Sequence, residues 1–362
     1  MTSGQFYSYC YSDIGPQIRL KASVRQSCIG LFRLLWYNIY ILHDPLRGGS
    51  AADNHIFEGH TQMKLSSFLR FAGFGLSTVI FKRKKAVLGT IILTDKCNLH
   101  CRHCSVNNIT SVIYPYQQIK NEMLRLYQDG IRILFFCGGE TFLWHDGEIT
   151  LRDLVIEAKQ MGFLIVNAVT NGTFALDLPE ADLILVSLDG GREQHDEIRG
   201  ETYDIIMKNI DEASSDNICL YMAINQINQN AVKSVCETAE NKRSVRAVSF
   251  NFHTPYPGTE DLALSTAEKK ACCDEISALT DQGYPVFNLK SAFPYIINNE
   301  FPVPCHQCVV MENGRLSVCG RCIDVPGLCE KCGYFFAAEY TLVFSGNIRV
   351  IADMLKTYLK YI

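Results

Sequence analysis

Short apolar runs rich in β-branched residues recur at Val87–Leu93, Ile131–Phe136, Phe163–Val169, Leu183–Ser187, Cys219–Asn225 and Ala247–Phe252. Between them, Tyr116–Gln128, Thr150–Met161, Tyr203–Ala213 and Asn230–Lys242 repeat their apolar positions at helical spacing. Largely apolar strands that alternate with helices predict a parallel sheet covered by helices. Six such units are too few to close an eightfold barrel. The fold class expected is therefore α/β, an open partial (β/α)6 TIM-like barrel with its chemistry at the C-terminal ends of the strands. This barrel is placed at 86–297. From Asn298 to Gly333 the chain turns rich in cysteine and turn residues, and its end returns to apolar, helix-like sequence. That makes 298–362 a C-terminal extension with a final helix.

The pattern before the barrel differs. Residues 1–62 lack a clear period and contain the turn-rich stretch Asp44–Asp53. Met63 opens a segment that reads like a natural start, so 1–62 is expected to be dispensable, even an upstream mistranslation. In 63–85, Leu65, Phe68, Leu69, Ala72, Leu76, Val79 and Ile80 share one helical face and are followed by Lys82, Arg83, Lys84 and Lys85. An amphipathic helix ending in cations suits an anionic membrane surface, while packing across the barrel, the commoner case, explains it as well. Gly73 and Gly75 weaken the helix in either case. The apolar runs Cys28–Leu42 and Leu65–Phe81 fall short of the roughly 20 residues of a membrane span, and each carries an arginine. With no basic start and apolar core typical of a secretory signal, the expected location is the cytoplasm, with peripheral contact at the cytosolic membrane face as an option. The tail residues Ile348, Ile351, Leu355, Tyr358, Leu359 and Ile362 form a second apolar stripe that either docks on the barrel or joins a membrane.

Composition narrows the chemistry. With 48% apolar residues and a net charge of −4, disorder is excluded as the main state and bulk basicity offers nothing to nucleic acid. The 16 cysteines are the unusual feature. In so long a chain their grouping argues against a disulfide framework and for metal.

Cys97, Cys101 and Cys104 stand in Cys-Asn-Leu-His-Cys-Arg-His-Cys just past the first strand. Three thiolates from one loop suit iron–sulfur clusters or zinc, and a zinc site would be completed by His100 or His103. Phe135-Phe136-Cys137-Gly138-Gly139-Glu140 closes the second strand. Val169-Thr170-Asn171-Gly172 ends the third, and Val186-Ser187-Leu188-Asp189-Gly190, with His195-Asp196 and Arg199-Gly200 beyond, ends the fourth. As a set over about Ala86–His253 these motifs resemble the radical S-adenosylmethionine (radical SAM) superfamily, with His103 where an aromatic residue is common.

The resemblance implies a [4Fe–4S] cluster on Cys97, Cys101 and Cys104, with S-adenosylmethionine bound by Gly138, Gly139, Glu140, Ser187 and Asn225. It further implies reductive cleavage of that cofactor to a 5′-deoxyadenosyl radical, with electrons from a partner such as flavodoxin or ferredoxin. Asp189 and Asp196 read equally as turn and cap residues or as ligands. No catalytic residue beyond these is assigned.

Cys305, Cys308, Cys319, Cys322, Cys329 and Cys332 form three Cys-x2-Cys pairs, a strong metal signal. With Gly314-x4-Cys319 they resemble in part the SPASM or twitch extensions, although the full seven-cysteine spacing is absent. A subset is expected to hold an auxiliary [4Fe–4S] cluster, or else zinc. The segment has too few apolar residues to fold without metal. Cys10, Cys28, Cys137, Cys219, Cys236, Cys272 and Cys273 read mostly as small apolar fillers, with Cys137 singled out by its place at the Gly-Gly-Glu turn. The loop His253–Thr259 is either a substrate loop or a rigid proline turn.

The function expected is a radical SAM enzyme whose substrate, slightly, is a lipid or membrane-associated molecule. The alternatives are a SPASM-type maturase acting on a peptide or protein, and a non-catalytic metal-binding scaffold.

Overall fold

Eight strands line up in one sheet in a computed structural model that describes residues 86–105, 109–303 and 305–361. The expectations for 1–62, for the basic helix of 63–85 and for Cys10 and Cys28 lie outside the described residues. The six expected strands are β1 (Leu88–Ile92), β2 (Ile133–Cys137), β3 (Ile165–Thr170), β4 (Leu183–Ser187), β5 (Ile218–Ile224) and β6 (Val245–Phe252). They pair in parallel, in sequence order. Helices lie in the connections between successive strands, except that the link from β3 to β4 contains none. The named helices are α1 (Tyr116–Gln128), α2 (Leu151–Met161), α3 (Arg192–Arg199), α4 (Tyr203–Glu212), α5 (Val232–Asn241) and α6 (Thr266–Asp281).

Local chemistry fixes the helix ends. Thr150 and Asp153 close a capping box on α2, whose C-terminus stops at Gly162 with φ of 101°. Ser265 and Glu268 do the same at the start of α6. Alternation along the strands then divides two faces. Ile91, Phe136, Val186, Leu220, Val248 and Phe250 point to the helices and are fully buried. Each contributes on the order of 2 kcal/mol by leaving water. A smaller apolar cluster of Leu183, Leu185, Cys219 and Ala247, with Phe135, Val169 and Tyr221 packed on it, lines the inner face.

The sheet does not end at six strands. β7 (Cys308–Glu312) pairs in parallel with β1, and β8 (Arg315–Val318) returns antiparallel on β7. The cysteine-rich segment is thus stitched into the barrel sheet, where Cys308 pairs opposite Leu88. Its hairpin turns through Asn313 and Gly314, both at positive φ, and Glu122 of α1 accepts from the Gly314 amide at 2.7 Å. Borrowed pairing supplies the order that so few apolar residues cannot.

Three helices follow. α7 (Phe293–Ile297) precedes the cysteines, and α8 (Phe335–Phe344) and α9 (Ile348–Tyr361) come after them. The final helix docks on the barrel: Val350 and Met354 are buried, and Asp353 accepts from Ser291 Oγ at 2.8 Å. Of the stripe read from sequence, Ile351 packs against the core while Ile348 is 54% exposed. Among the described residues no helix is long and apolar enough to cross a membrane.

Candidate metal centre and cofactor site

The three cysteines lie on the loop that leaves β1. Cys97, Cys101 and Cys104 are half-buried, and their thiols are electrostatic neighbours of one another. The loop is anchored by backbone. The Gly139 amide donates to Thr94 O at 2.7 Å and the Glu140 amide to Lys96 O at 2.9 Å. A Cβ on Gly139 would stand 2.2 Å from Lys96 O, and one on Gly138 2.5 Å from Thr94 O. Only glycine lets the β2 turn lie this close to the start of the cysteine loop.

Glu140 is buried and fully engaged. Its carboxylate accepts from Thr170 Oγ1 at 2.7 Å, from the Asn171 amide at 2.7 Å and from the Phe142 amide at 3.0 Å. Burial raises its pKa against the pull of these donors. The same turn orients Asn171, whose Nδ2 lies 3.7 Å from Cys97 Sγ.

A buried ion pair faces the loop from β4 and α3. Arg199 Nε donates to Asp189 Oδ2 at 2.5 Å, while its Nη1 lies 3.8 Å from Cys101 Sγ. Burial raises the Cys97 and Cys101 pKa values, and at Cys101 the guanidinium acts against it. For Asp189, burial pushes the pKa up, yet Arg199, His103 and the Ala223 amide outweigh it and hold the carboxyl below its ordinary value. His103 turns Nε2 toward Arg199 at 3.3 Å and Asp189 at 3.7 Å. Its Nδ1 is buried without a partner.

Ser187 ends β4 on the inner face and is buried. Asn225 follows β5 and is also buried; its side chain donates to Ala223 O at 3.1 Å and accepts from the Ile227 amide at 2.9 Å. Asp196 caps α4 by accepting from Thr202 and Tyr203 amides. Burial pushes the Cys137 thiol up to about 12, which suits an inert filler. Sequence reasoning passed over Arg199 as the cation of this site. Its spacing from Asp189, across one helix opening at Arg192, was the available signal.

A cavity lies beside the ends of β6 and β8 and the start of β7. It is lined by Cys305, Cys319, Cys322, Cys329 and Cys332, with Thr254 and Tyr334 among its other walls. Cys319 and Cys322 bring their sulfurs to 3.4 Å. Cys308, at the start of β7, is not among the lining residues, but its thiol is within hydrogen-bond reach of Cys305 and next to Cys332. In number and type, the five cysteines lining the cavity match a four-thiolate metal centre and the three on the loop beside Arg199 match a cluster with one open position; among the described residues no three such side chains are drawn together at ligating positions.

The motif order along the strand ends finds its counterpart among known proteins: residues 91–238 match the family model of the Radical SAM superfamily. Residues 91–238 form a radical SAM domain. A curated relative of this domain, 7,8-dihydro-6-hydroxymethylpterin dimethyltransferase of Methanocaldococcus jannaschii, is 28% identical over 288 residues, 68% of this chain and 56% of the relative. The chain thus spans about half that relative's length. Among solved structures, Streptococcus suis SuiB bound to S-adenosylmethionine superposes with a TM-score of 0.54 and 12% identity, covering 78% of this chain and 73% of SuiB. SuiB bound to the precursor peptide SuiA gives 0.54 and 13%, covering 90% and 80%. At such identities the likeness is one of fold. Radical SAM proteins as a family use a [4Fe–4S] cluster and S-adenosylmethionine.

Proposed function

We propose that this radical SAM domain is an enzyme that holds its cluster on Cys97, Cys101 and Cys104 and generates a radical at the mouth of the partial barrel. The observation that carries the reading is the three half-buried thiols gathered on one loop beside the buried Arg199 cation. The cluster with S-adenosylmethionine supplies a 5′-deoxyadenosyl radical able to abstract hydrogen from an unactivated C–H bond, once a donor such as flavodoxin or ferredoxin provides an electron. Arg199 offsets the negative charge that thiolates bring into a buried site. Gly138 and Gly139 hold the loop close to the β2 turn, where Glu140 orders Asn171. Ser187 and Asn225 place polar groups at the ends of β4 and β5, facing the same mouth. The apolar inner face excludes water from the radical.

The cavity of Cys305, Cys319, Cys322, Cys329 and Cys332 is assigned an auxiliary metal centre, a [4Fe–4S] cluster in preference to zinc. For the substrate, a peptide or protein segment is favoured, since 90% of this chain superposes on SuiB, which has been solved with its precursor peptide. A lipid has lost its described support, because the C-terminal helix buries Val350 and Met354 against the barrel. A second reading, methyl transfer to a small molecule, is favoured by the sequence likeness to the pterin dimethyltransferase.

Anoxic reconstitution tests the metal sites. About eight irons per chain, falling to about four when Cys97, Cys101 and Cys104 are all changed to Ala, is the expected result. Four falling to none, with zinc retained, would assign the C-terminal cavity to zinc. Incubation of the reduced protein with S-adenosylmethionine then separates the chemistries. 5′-Deoxyadenosine marks radical cleavage, and S-adenosylhomocysteine marks methyl transfer. Neither product would leave the scaffold reading.

A further inference from the structure

The C-terminal cysteine segment crosses the open side of the barrel and grips both of its walls. On the β1 side, Arg321 sits between Cys319 and Cys322 on the short 3-10 turn Gly320–Asp324. Its Nη2 donates to Asp95 Oδ1 at 2.5 Å, and its Nε lies 3.1 Å from Glu312 Oε1. On the β6 side, the Phe252 amide donates to Gly333 O at 2.9 Å and the Gly333 amide to Thr254 Oγ1 at 3.0 Å. A Cβ on Gly333 would stand 2.1 Å from Phe252 O, so this approach too is reserved for glycine.

Asp95 is a strategic place to be held. It lies two residues before Cys97 and is 2% exposed. Its other oxygen accepts from Thr110 Oγ1 at 2.5 Å, and its amide donates to Val112 O at 3.0 Å. The flanking carbonyls of Thr94 and Lys96 receive the Gly139 and Glu140 amides. One aspartate therefore ties together the entry to the first cysteine loop, the exit from it and the Gly-Gly-Glu turn. Arg321 supplies its charge partner from the other cysteine group. Tyr256 makes a second link: its hydroxyl lies 3.3 Å from Tyr334 Oη and within hydrogen-bond reach of Ser105 and Cys322.

We propose that Arg321 is the positioning residue through which the C-terminal cysteine cavity sets the geometry of the Cys97–Cys104 loop, so that metal in the cavity tightens binding of S-adenosylmethionine at the first site. The physical basis is shared backbone. Thiolates of Cys319 and Cys322 fixed on a metal fix the turn that carries Arg321, and Cys319 already holds a left-handed φ of 63°, a conformation that a non-glycine residue keeps only under external restraint. With the turn released, Arg321 loses the orientation that pairs it with Asp95, and the loop loses its buried anchor. Coupling of two sites through one such element typically changes affinity between about 5-fold and 150-fold.

The inference rests on the radical SAM reading and is tested on the reconstituted full chain without any substrate. Equilibrium binding of labelled S-adenosylmethionine is measured alongside the electron paramagnetic resonance spectrum of the reduced first cluster. Wild type is compared with Arg321→Met, Arg321→Lys, Cys319→Ser/Cys322→Ser and the combination of that pair with Arg321→Met. The expected result is about tenfold weaker binding and an altered spectrum in Arg321→Met at unchanged first-site iron, recovery in Arg321→Lys, and the same loss in the cysteine pair. In the combined variant Arg321→Met should add nothing further. Wild-type binding in Arg321→Met, or losses that add in the combined variant, would overturn the coupling. Should Arg321→Met fail to fold, Asp95→Asn breaks the same contact and is held to the same outcomes. A wild-type protein that takes up iron but binds no S-adenosylmethionine would overturn the radical SAM reading itself, a result distinct from failure of the coupling.

Discussion

Arg199 and Asp189 form an ion pair with 9% and 0% side-chain exposure, closed at 2.5 Å within reach of the Cys101 sulfur. Removing one partner of such a pair leaves a buried charge without compensation, which typically costs about 3–5 kcal/mol. Arg199→Met should therefore destabilise the fold by about that amount, whereas Arg199→Met with Asp189→Asn together should cost less than the sum of the single changes. Chemical unfolding of the four proteins measures the cycle. Additive losses would show that the pair is not coupled.

Gly139 and Gly130 separate two roles of glycine. A Cβ at Gly139 meets backbone oxygen at 2.2 and 2.6 Å, which nothing flexible can relieve, whereas at Gly130 nothing lies within 4 Å and only its φ of 95° is at issue. Gly139→Ala should lose iron from the first site, because the Thr94 and Lys96 hydrogen bonds that anchor the loop cannot both survive. Gly130→Ala should cost about 1–2 kcal/mol of stability and keep full iron. Iron analysis with a thermal melt distinguishes them, and normal iron in Gly139→Ala would refute the anchoring role.

Much of this was legible in the chain. The six strands are marked by apolar runs, and Cys97, Cys101, Cys104 and Gly138-Gly139-Glu140 fall at the ends of β1 and β2 because parallel sheets deliver all their strand ends to one edge. What was missed had weaker or conflicting signals. Asn313-Gly314 between Cys308–Glu312 and Arg315–Val318 is a hairpin signal, yet the cysteines drew attention to metal and hid the strands. Ser265-x-x-Glu268 announced α6, whose amphipathic pattern is weakened by Cys272 and Cys273 facing the core. α8 is apolar on nearly every side and so has no helical stripe to read. The Arg321–Asp95 contact spans 226 residues, and no local pattern encodes it.

Glu339 of α8 is a buried carboxyl outside the site. Burial pushes its pKa up to about 7, against the Leu289 amide at 2.9 Å and Asn288 Nδ2. A carboxyl with a raised folded-state pKa contributes stability that is complete below its unfolded value of 4.5 and is lost as pH rises through about 7. Wild type should thus lose stability between about pH 4.5 and 7, on the order of 3 kcal/mol at most. Glu339→Gln keeps the accepting oxygen without the charge, so its melting temperature should lack this descent. Parallel curves for the two proteins would remove Glu339 as the cause.

The C-terminal cavity makes a prediction about its own ligands. Cys308 sits within β7, paired opposite Leu88, while Cys305, Cys319, Cys322, Cys329 and Cys332 line the cavity. Four thiolates complete either a [4Fe–4S] cluster or a zinc site, so the five lining cysteines suffice without Cys308, although its thiol contacts that of Cys305. Cys308→Ala should keep the second metal and cost only the packing of a buried small side chain, about 1 kcal/mol. Cys319→Ser and Cys322→Ser should each lose that metal, since the two sulfurs lie 3.4 Å apart on one restrained turn that lines the cavity. Losing its metal should also expose 305–334 to protease, because the segment is then held only by pairing with β1 and a few hydrogen bonds to α1, β6 and the β1 loop. Metal analysis and limited proteolysis of the three variants decide the matter. Loss of the metal in Cys308→Ala, with its retention in Cys319→Ser, would transfer the site from the cavity to the sheet edge.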